Sequence, residues 1–96
     1  MLMATNWNEP VMFEEFPKLR ELPWVRIGNM PTPVEELSKL AEAVGAGRLF
    51  IKRDDKTNTV YGGNKVRKLE FVIADAVRKN NGSMLTIGGI GSNHLL

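Results

Sequence analysis

Between Gly62-Gly63 and Asn80-Asn81-Gly82 the sequence holds one long amphipathic run, and that run limits the folds open to the chain. It starts at Asn64 and ends at about Asn80, where asparagine and glycine close a helix. On a wheel of about 100° per residue, Val66, Leu69, Val72, Ile73, Ala76 and Val77 form one apolar arc. Arg67, Glu70, Ala74, Asp75 and Arg78 lie outside it. Phe71 breaks the pattern on the polar side and is expected to meet a partner or missing chain. Before the helix, Arg48-Leu49-Phe50-Ile51-Lys52-Arg53 reads as a short strand. After it, Met84-Leu85-Thr86-Ile87 reads as a buried strand. Strand, helix, strand is a βαβ unit, whose strands run parallel with a right-handed crossover. Two such strands make a poor sheet alone, because parallel sheets normally have both faces covered. Ser92 or Asn93 has the look of an N-cap for a third helix, with few residues left to form it. The expectation is an α/β segment that is incomplete or that folds with something added.

Upstream, Thr32-Pro33-Val34-Glu35 fits a capping box with proline at the first helical position. Leu37, Leu40, Ala41 and Val44 continue at helical spacing, and Gly45-Ala46-Gly47 stops the run. Residues 1–30 show little periodicity and mix aromatics with prolines, as in Phe13-Glu14-Glu15-Phe16-Pro17 and Leu22-Pro23-Trp24. They read as an N-terminal arm lying over a larger body, with Trp7, Phe13, Phe16 and Trp24 as anchors. Residues 31–96 form the incomplete α/β segment.

Charge and composition exclude several classes. Thirteen basic and eleven acidic residues give a net charge of +2, too even to argue for nucleic acid or a membrane surface. Without cysteine there is no disulfide, thiolate or cysteine-ligated metal chemistry, and a single histidine builds no metal site alone. Asp54 and Asp55 are adjacent, but two carboxylates lacking further spaced ligands point to solvation or pairing with a cation. The N-terminus has neither the basic start nor the apolar run of a secretory signal. No apolar stretch nears the roughly 20 residues of a membrane span. A soluble, cytoplasmic protein is expected.

The chemistry centres on the start of the long helix. Lys65 falls inside the apolar arc, in line with Leu69, Val72 and Ala76, and Lys68 lies at its edge. A buried ammonium is costly unless paired; the bland alternative is a side chain that snorkels to water. Lys65, Arg67 and Lys68 also crowd a helix N-terminus, where the dipole disfavours cations by roughly 0.3–1 kcal/mol each. A bound anion reverses that conflict, and helix N-termini with free N–H groups bind phosphate. Gly62-Gly63 lets a ligand approach the backbone. A free lysine, with a reference pKa near 10.4, is only about 0.04% neutral at pH 7. Burial and neighbouring cations favour the neutral amine, which can form a Schiff base with a carbonyl. Pyridoxal-5′-phosphate (PLP) offers both an aldehyde and a phosphate, and so answers both oddities.

Gly88-Gly89-Ile90-Gly91-Ser92-Asn93 is a second candidate site, following a strand and opening a helix. It is neither a Walker loop nor a complete dinucleotide fingerprint. Ser92 and Asn93 can donate hydrogen bonds to an anionic ligand or simply cap a helix. His94 is more often structural than catalytic.

Pro31-Thr32-Pro33, Ile51-Lys52-Arg53-Asp54-Asp55, Gly62-Gly63-Asn64-Lys65-Val66-Arg67-Lys68-Leu69-Glu70 and Gly88-Gly89-Ile90-Gly91-Ser92-Asn93-His94 occur in that order. Together, over roughly Phe16 to Leu96, they resemble the start of the 1-aminocyclopropane-1-carboxylate (ACC) deaminase/D-cysteine desulfhydrase family. The resemblance implies a PLP enzyme of the tryptophan synthase β-like fold, fold type II. It implies Lys65 as the Schiff-base lysine, Lys68 on the PLP phosphate and Asn93 on the ring hydroxyl. Ser92, Asn93 and His94 would hold the substrate carboxylate, with Ser92 also near the reacting centre. Family members usually carry glutamine where Gly91 stands. His94 suits the D-cysteine desulfhydrase side, where ACC deaminases tend to have glutamine.

The fold expected is thus α/β: a partial fold type II PLP-enzyme fold with an N-terminal arm, a helix and a parallel βαβ unit. The function expected is that of an N-terminal segment of a lyase or deaminase acting on a small amino acid, inactive alone. Its partners would be that substrate and either a second copy, since the family suggests dimers, or a missing C-terminal portion. A non-catalytic fragment with a structural or interaction role, and a simple phosphate-binding module, are the competing expectations.

Overall fold

A computed structural model describes residues 8–91. In chain order these form α1 (Met12–Glu15), a 3-10 turn (Pro17–Glu21), β1 (Val34–Glu36), α2 (Ser38–Val44), β2 (Phe50–Lys52), a second 3-10 turn (Asp54–Lys56) and α3 (Lys65–Arg78). The sheet is a two-stranded antiparallel pair, with Val34 opposite Lys52, Glu35 opposite Ile51 and Glu36 opposite Phe50.

The long helix forms as its periodicity predicts. It ends where Asn80 takes a left-handed conformation (φ 57°) and the Asn81 N–H donates to the Ala76 carbonyl at 3.0 Å. Its buried side is narrower than the apolar arc: Val66 and Ala76 are buried and Leu69 and Ile73 half-buried, but Val72 and Val77 are exposed. Glu70, one turn beyond Val66, belongs to the buried side instead. Phe71 meets the N-terminal arm, edge-on to Phe13 with ring centroids 6.1 Å apart.

Two expected secondary-structure elements are corrected. Thr32-Pro33-Val34-Glu35 opens a strand rather than a helix, and the helix starts at Ser38. The hairpin-like partner is the reason. Arg53 N–H donates to the Pro33 carbonyl at 2.9 Å, the Leu37 N–H to the Leu49 carbonyl at 2.8 Å, and Arg53 and Arg48 pair with Glu35 and Glu36 at 2.7 and 2.8 Å. Such opposite-charge pairs support a sheet, and a local capping signal does not outweigh them. The helix stop at Gly45, in a left-handed conformation (φ 71°), is as predicted. The second correction concerns Met84-Leu85-Thr86-Ile87, which forms no strand. Among the described residues the parallel βαβ unit is therefore absent, because no strand lies beside this run to share its backbone groups.

The arm is fastened to α3 by polar as well as apolar contacts. Phe13 is buried, and Trp24 stands edge-on to it with centroids 6.3 Å apart. The Glu70 carboxylate accepts hydrogen bonds from the Ile27 N–H (2.7 Å), the Gly28 N–H (2.9 Å) and the Trp24 indole (3.2 Å), with Arg26 at 3.5 Å. A buried carboxylate is tolerable when its lone pairs are met in this way. The Val25 N–H adds a bond to the Glu70 carbonyl at 3.0 Å. Phe16 is exposed and does not anchor the arm, while Trp7 lies outside the described residues.

Candidate functional site

The loop that delivers Lys65 is held by two polar side chains. Thr57 is fully buried. Its hydroxyl lies 2.7 Å from the Gly63 carbonyl, to which it donates, and accepts from the Gly63 N–H at 3.0 Å. Its own carbonyl accepts from the Asn29 N–H at 2.6 Å. Asn58 closes the turn, accepting from the Val60 N–H at 2.8 Å while its amide donates to the Ile27 carbonyl at 3.1 Å. The glycine pair follows. At Gly62 a Cβ would collide with the Asp55 carbonyl oxygen, and Gly63 has φ 136°, a region closed to most side chains. This turn therefore requires both glycines before α3 can begin.

Lys65 is the first residue of α3 and borders a cavity of about 190 Å³, which is also lined by Ile27, Asn58, Tyr61, Gly62 and Leu69. The lysine itself is exposed, which corrects the expectation of a buried amine. Its position on the wheel is at the edge of the buried side, where a long side chain can border a cavity and still reach water. Lys68 is exposed as well. Neither lysine has an ion-pair partner among the described residues. Arg67, by contrast, is committed: it pairs with Asp54 at 2.8 Å and donates to the Thr32 hydroxyl at 3.1 Å. The Arg67 hydrogen bond holds the Asp54 carboxyl below its usual value. Arg53 does the same for Asp55 at 2.7 Å. The two aspartates are thus paired with cations, and no cluster of metal-ligating side chains occurs among the described residues.

These residues fit one wall of a PLP site. They supply an amine at a cavity mouth, a second uncommitted cation one turn along, and the N-terminus of a fourteen-residue helix with no side-chain cap on Asn64. The helix N-terminus and Lys68 suit a phosphate. The cavity is smaller than the roughly 300–1,000 Å³ of a typical small-molecule site, so by itself it offers only part of the space a cofactor with a substrate needs. A larger cavity of about 400 Å³ lies between the arm and α3, lined by Met12, Arg26, Lys52 and Phe71, and does not involve Lys65. Ser92, Asn93 and His94 lie outside the described residues.

Sequence reasoning missed Glu70, Thr57 and Asn58. Glu70 carried a signal, since it sits one turn from both Val66 and Ile73. Asn58 carried a weaker one, an asparagine ahead of a glycine turn. Thr57 carried none.

No family model matches the chain. D-cysteine desulfhydrase of Yersinia pestis (strain Pestoides F) is 45% identical over 78 residues, 81% of this chain and 23% of that protein. D-cysteine desulfhydrase of Klebsiella pneumoniae is 46% identical over 77 residues, again 23% of its length. The crystal structure of an ACC deaminase homologue superposes with a TM-score of 0.74 at 39% identity, over 82% of this chain and 24% of the other. The chain spans about a quarter of the length of these relatives. No helix among the described residues is long and apolar enough to cross a membrane.

Proposed function

We propose, from a chain that carries an N-terminal segment of the ACC deaminase/D-cysteine desulfhydrase family in sequence and fold, that it forms the lysine wall of a PLP-dependent lyase or deaminase acting on a small amino acid. The observation that carries this reading is Lys65 at the mouth of the Gly62-Gly63 cavity, on the first turn of α3. Lys65 would hold PLP through Nζ, and Lys68 with the α3 N-terminus would serve its phosphate. When bound, PLP supplies an electron sink for the carbon beside the substrate's amino group. Nζ of Lys65, when neutral, can then take or return a proton at that carbon. The family resemblance adds Asn93 for the cofactor ring and Ser92, Asn93 and His94 for the substrate carboxylate. D-cysteine and ACC are the two substrate types in question, and His94 favours the former. The fold type II architecture with its parallel strands, and a homodimeric assembly, belong to the same proposal for the whole protein. Within the same proposal the segment alone turns over little or no substrate, since a cavity of about 190 Å³ is small for a site that takes both a cofactor and a substrate.

The test is to mix the purified chain with PLP, reduce with borohydride and map the modified peptides by mass. Label should concentrate on Lys65 over Lys39 and Lys79, neither of which lines the cavity, and Lys65→Ala should remove it. Label spread evenly over the lysines would sink the reading. Exposed Leu85, Ile87 and Ile90 favour a second reading, a non-catalytic segment that associates through apolar surface. Concentration-dependent self-association with no selective labelling would select it.

A further inference from the structure

We infer that Asn58 is a positioning residue that fixes the wall facing Lys65; the inference rests on the reading of Lys65 as the PLP lysine. Ile27 and Tyr61 belong to different parts of the chain, yet both line the Lys65 cavity. Asn58 ties them together. Its Oδ1 accepts from the Val60 N–H at 2.8 Å and lies 3.4 Å from the Tyr61 nitrogen, while its Nδ2 donates to the Ile27 carbonyl at 3.1 Å. Ile27 is gripped on its other side too, since its N–H donates to the buried Glu70 carboxylate at 2.7 Å. Glu70 stands on the same helix as Lys65. The Ile27 peptide is thus fixed from α3 through its N–H and from the glycine loop through its carbonyl. The Asn58 amide sets the gap between the Ile27 and Tyr61 walls, and so the space into which Nζ of Lys65 can reach.

Asn58→Asp separates the two jobs of this side chain. It keeps an oxygen for the Val60 and Tyr61 N–H groups but loses the donor to Ile27. One hydrogen bond of about 1 kcal/mol corresponds to roughly fivefold. The expected result is a several-fold loss of the Lys65 preference over Lys79 in borohydride labelling with PLP. The thermal midpoint should fall by no more than about 4–8 °C, the cost of one hydrogen bond in a domain of this size. Asn58→Ala should lose at least as much preference, with a lower midpoint because the turn is lost too. Labelling of Asn58→Asp that matches the parent, where the parent labels Lys65 selectively, would overturn the inference and leave the proposed function standing. A chain without selective labelling overturns that function and this inference with it. Loss of fold in both variants would reduce Asn58 to a structural residue and also refute the inference.

Discussion

Residues 24–28 lie along α3 and residues 84–90 follow it in sequence; both carry large apolar side chains, but only the first stretch is fastened. In the first, one buried carboxylate on α3 satisfies two backbone N–H groups and an indole, and Phe13 packs between Trp24 and Phe71. In the second, Leu85 and Ile87 are 94% and 88% exposed and no strand forms. Their composition would have ranked them the other way, since Met84-Leu85-Thr86-Ile87 is the more strand-like and more apolar run. The difference lies in where each backbone finds its partners. A helix side chain can complete an extended segment locally, whereas a parallel strand depends on neighbours that the described residues do not include.

Removing the fastening should have the largest effect. Glu70→Ala leaves the Ile27, Gly28 and Trp24 donors without their acceptor, each costing about 1–3 kcal/mol, against the ~5–15 kcal/mol that a whole domain typically has. Urea unfolding should show a chain mostly unfolded or close to it, and near-parental stability would break the comparison. Phe13→Ala comes next, at about 3 kcal/mol, measured the same way, with loss of the near-ultraviolet signal from Trp24. Asp54→Asn should cost under about 1 kcal/mol at neutral pH, as a partly exposed ion pair does. Its sharper signature is in acid. Because Arg67 holds the Asp54 carboxyl below its usual 3.8, the unfolded chain takes up a proton first as pH falls. The stabilisation is complete above that value and is lost as pH drops through the lower folded value. The variant should flatten that part of an acid titration of stability. Smallest of all is Ile87→Asp, expected within about 0.5 kcal/mol of the parent. A loss as large as that of Phe13→Ala would mean that residues 84–90 are packed after all.

The same contrast explains what the sequence could reveal. The span of α3, the stop at Gly45 and the Phe50–Lys52 strand rest on signals within a few residues of where they act, and all were legible. Val34–Glu36 was misread because its fate is decided by Arg48 and Arg53, more than ten residues away. At the candidate site, the glycine pair and Lys65 were visible as a motif. The fastening beneath them was not, because Glu70 was sorted by its charge rather than by its phase on the helix. The burial assigned to Lys65 failed for the opposite reason: phase alone placed it on the apolar side, although a first-turn residue with a long stem reaches water.

The bare run after α3 governs how the protein behaves at high concentration. From Ser83 to Ile90 the chain has no charge and no proline, and its apolar side chains face outward. Such windows stack copy on copy into cross-β aggregates. Turbidity should therefore rise steeply with protein concentration, and a gatekeeper charge, Ile87→Lys, should suppress it without disturbing the fold.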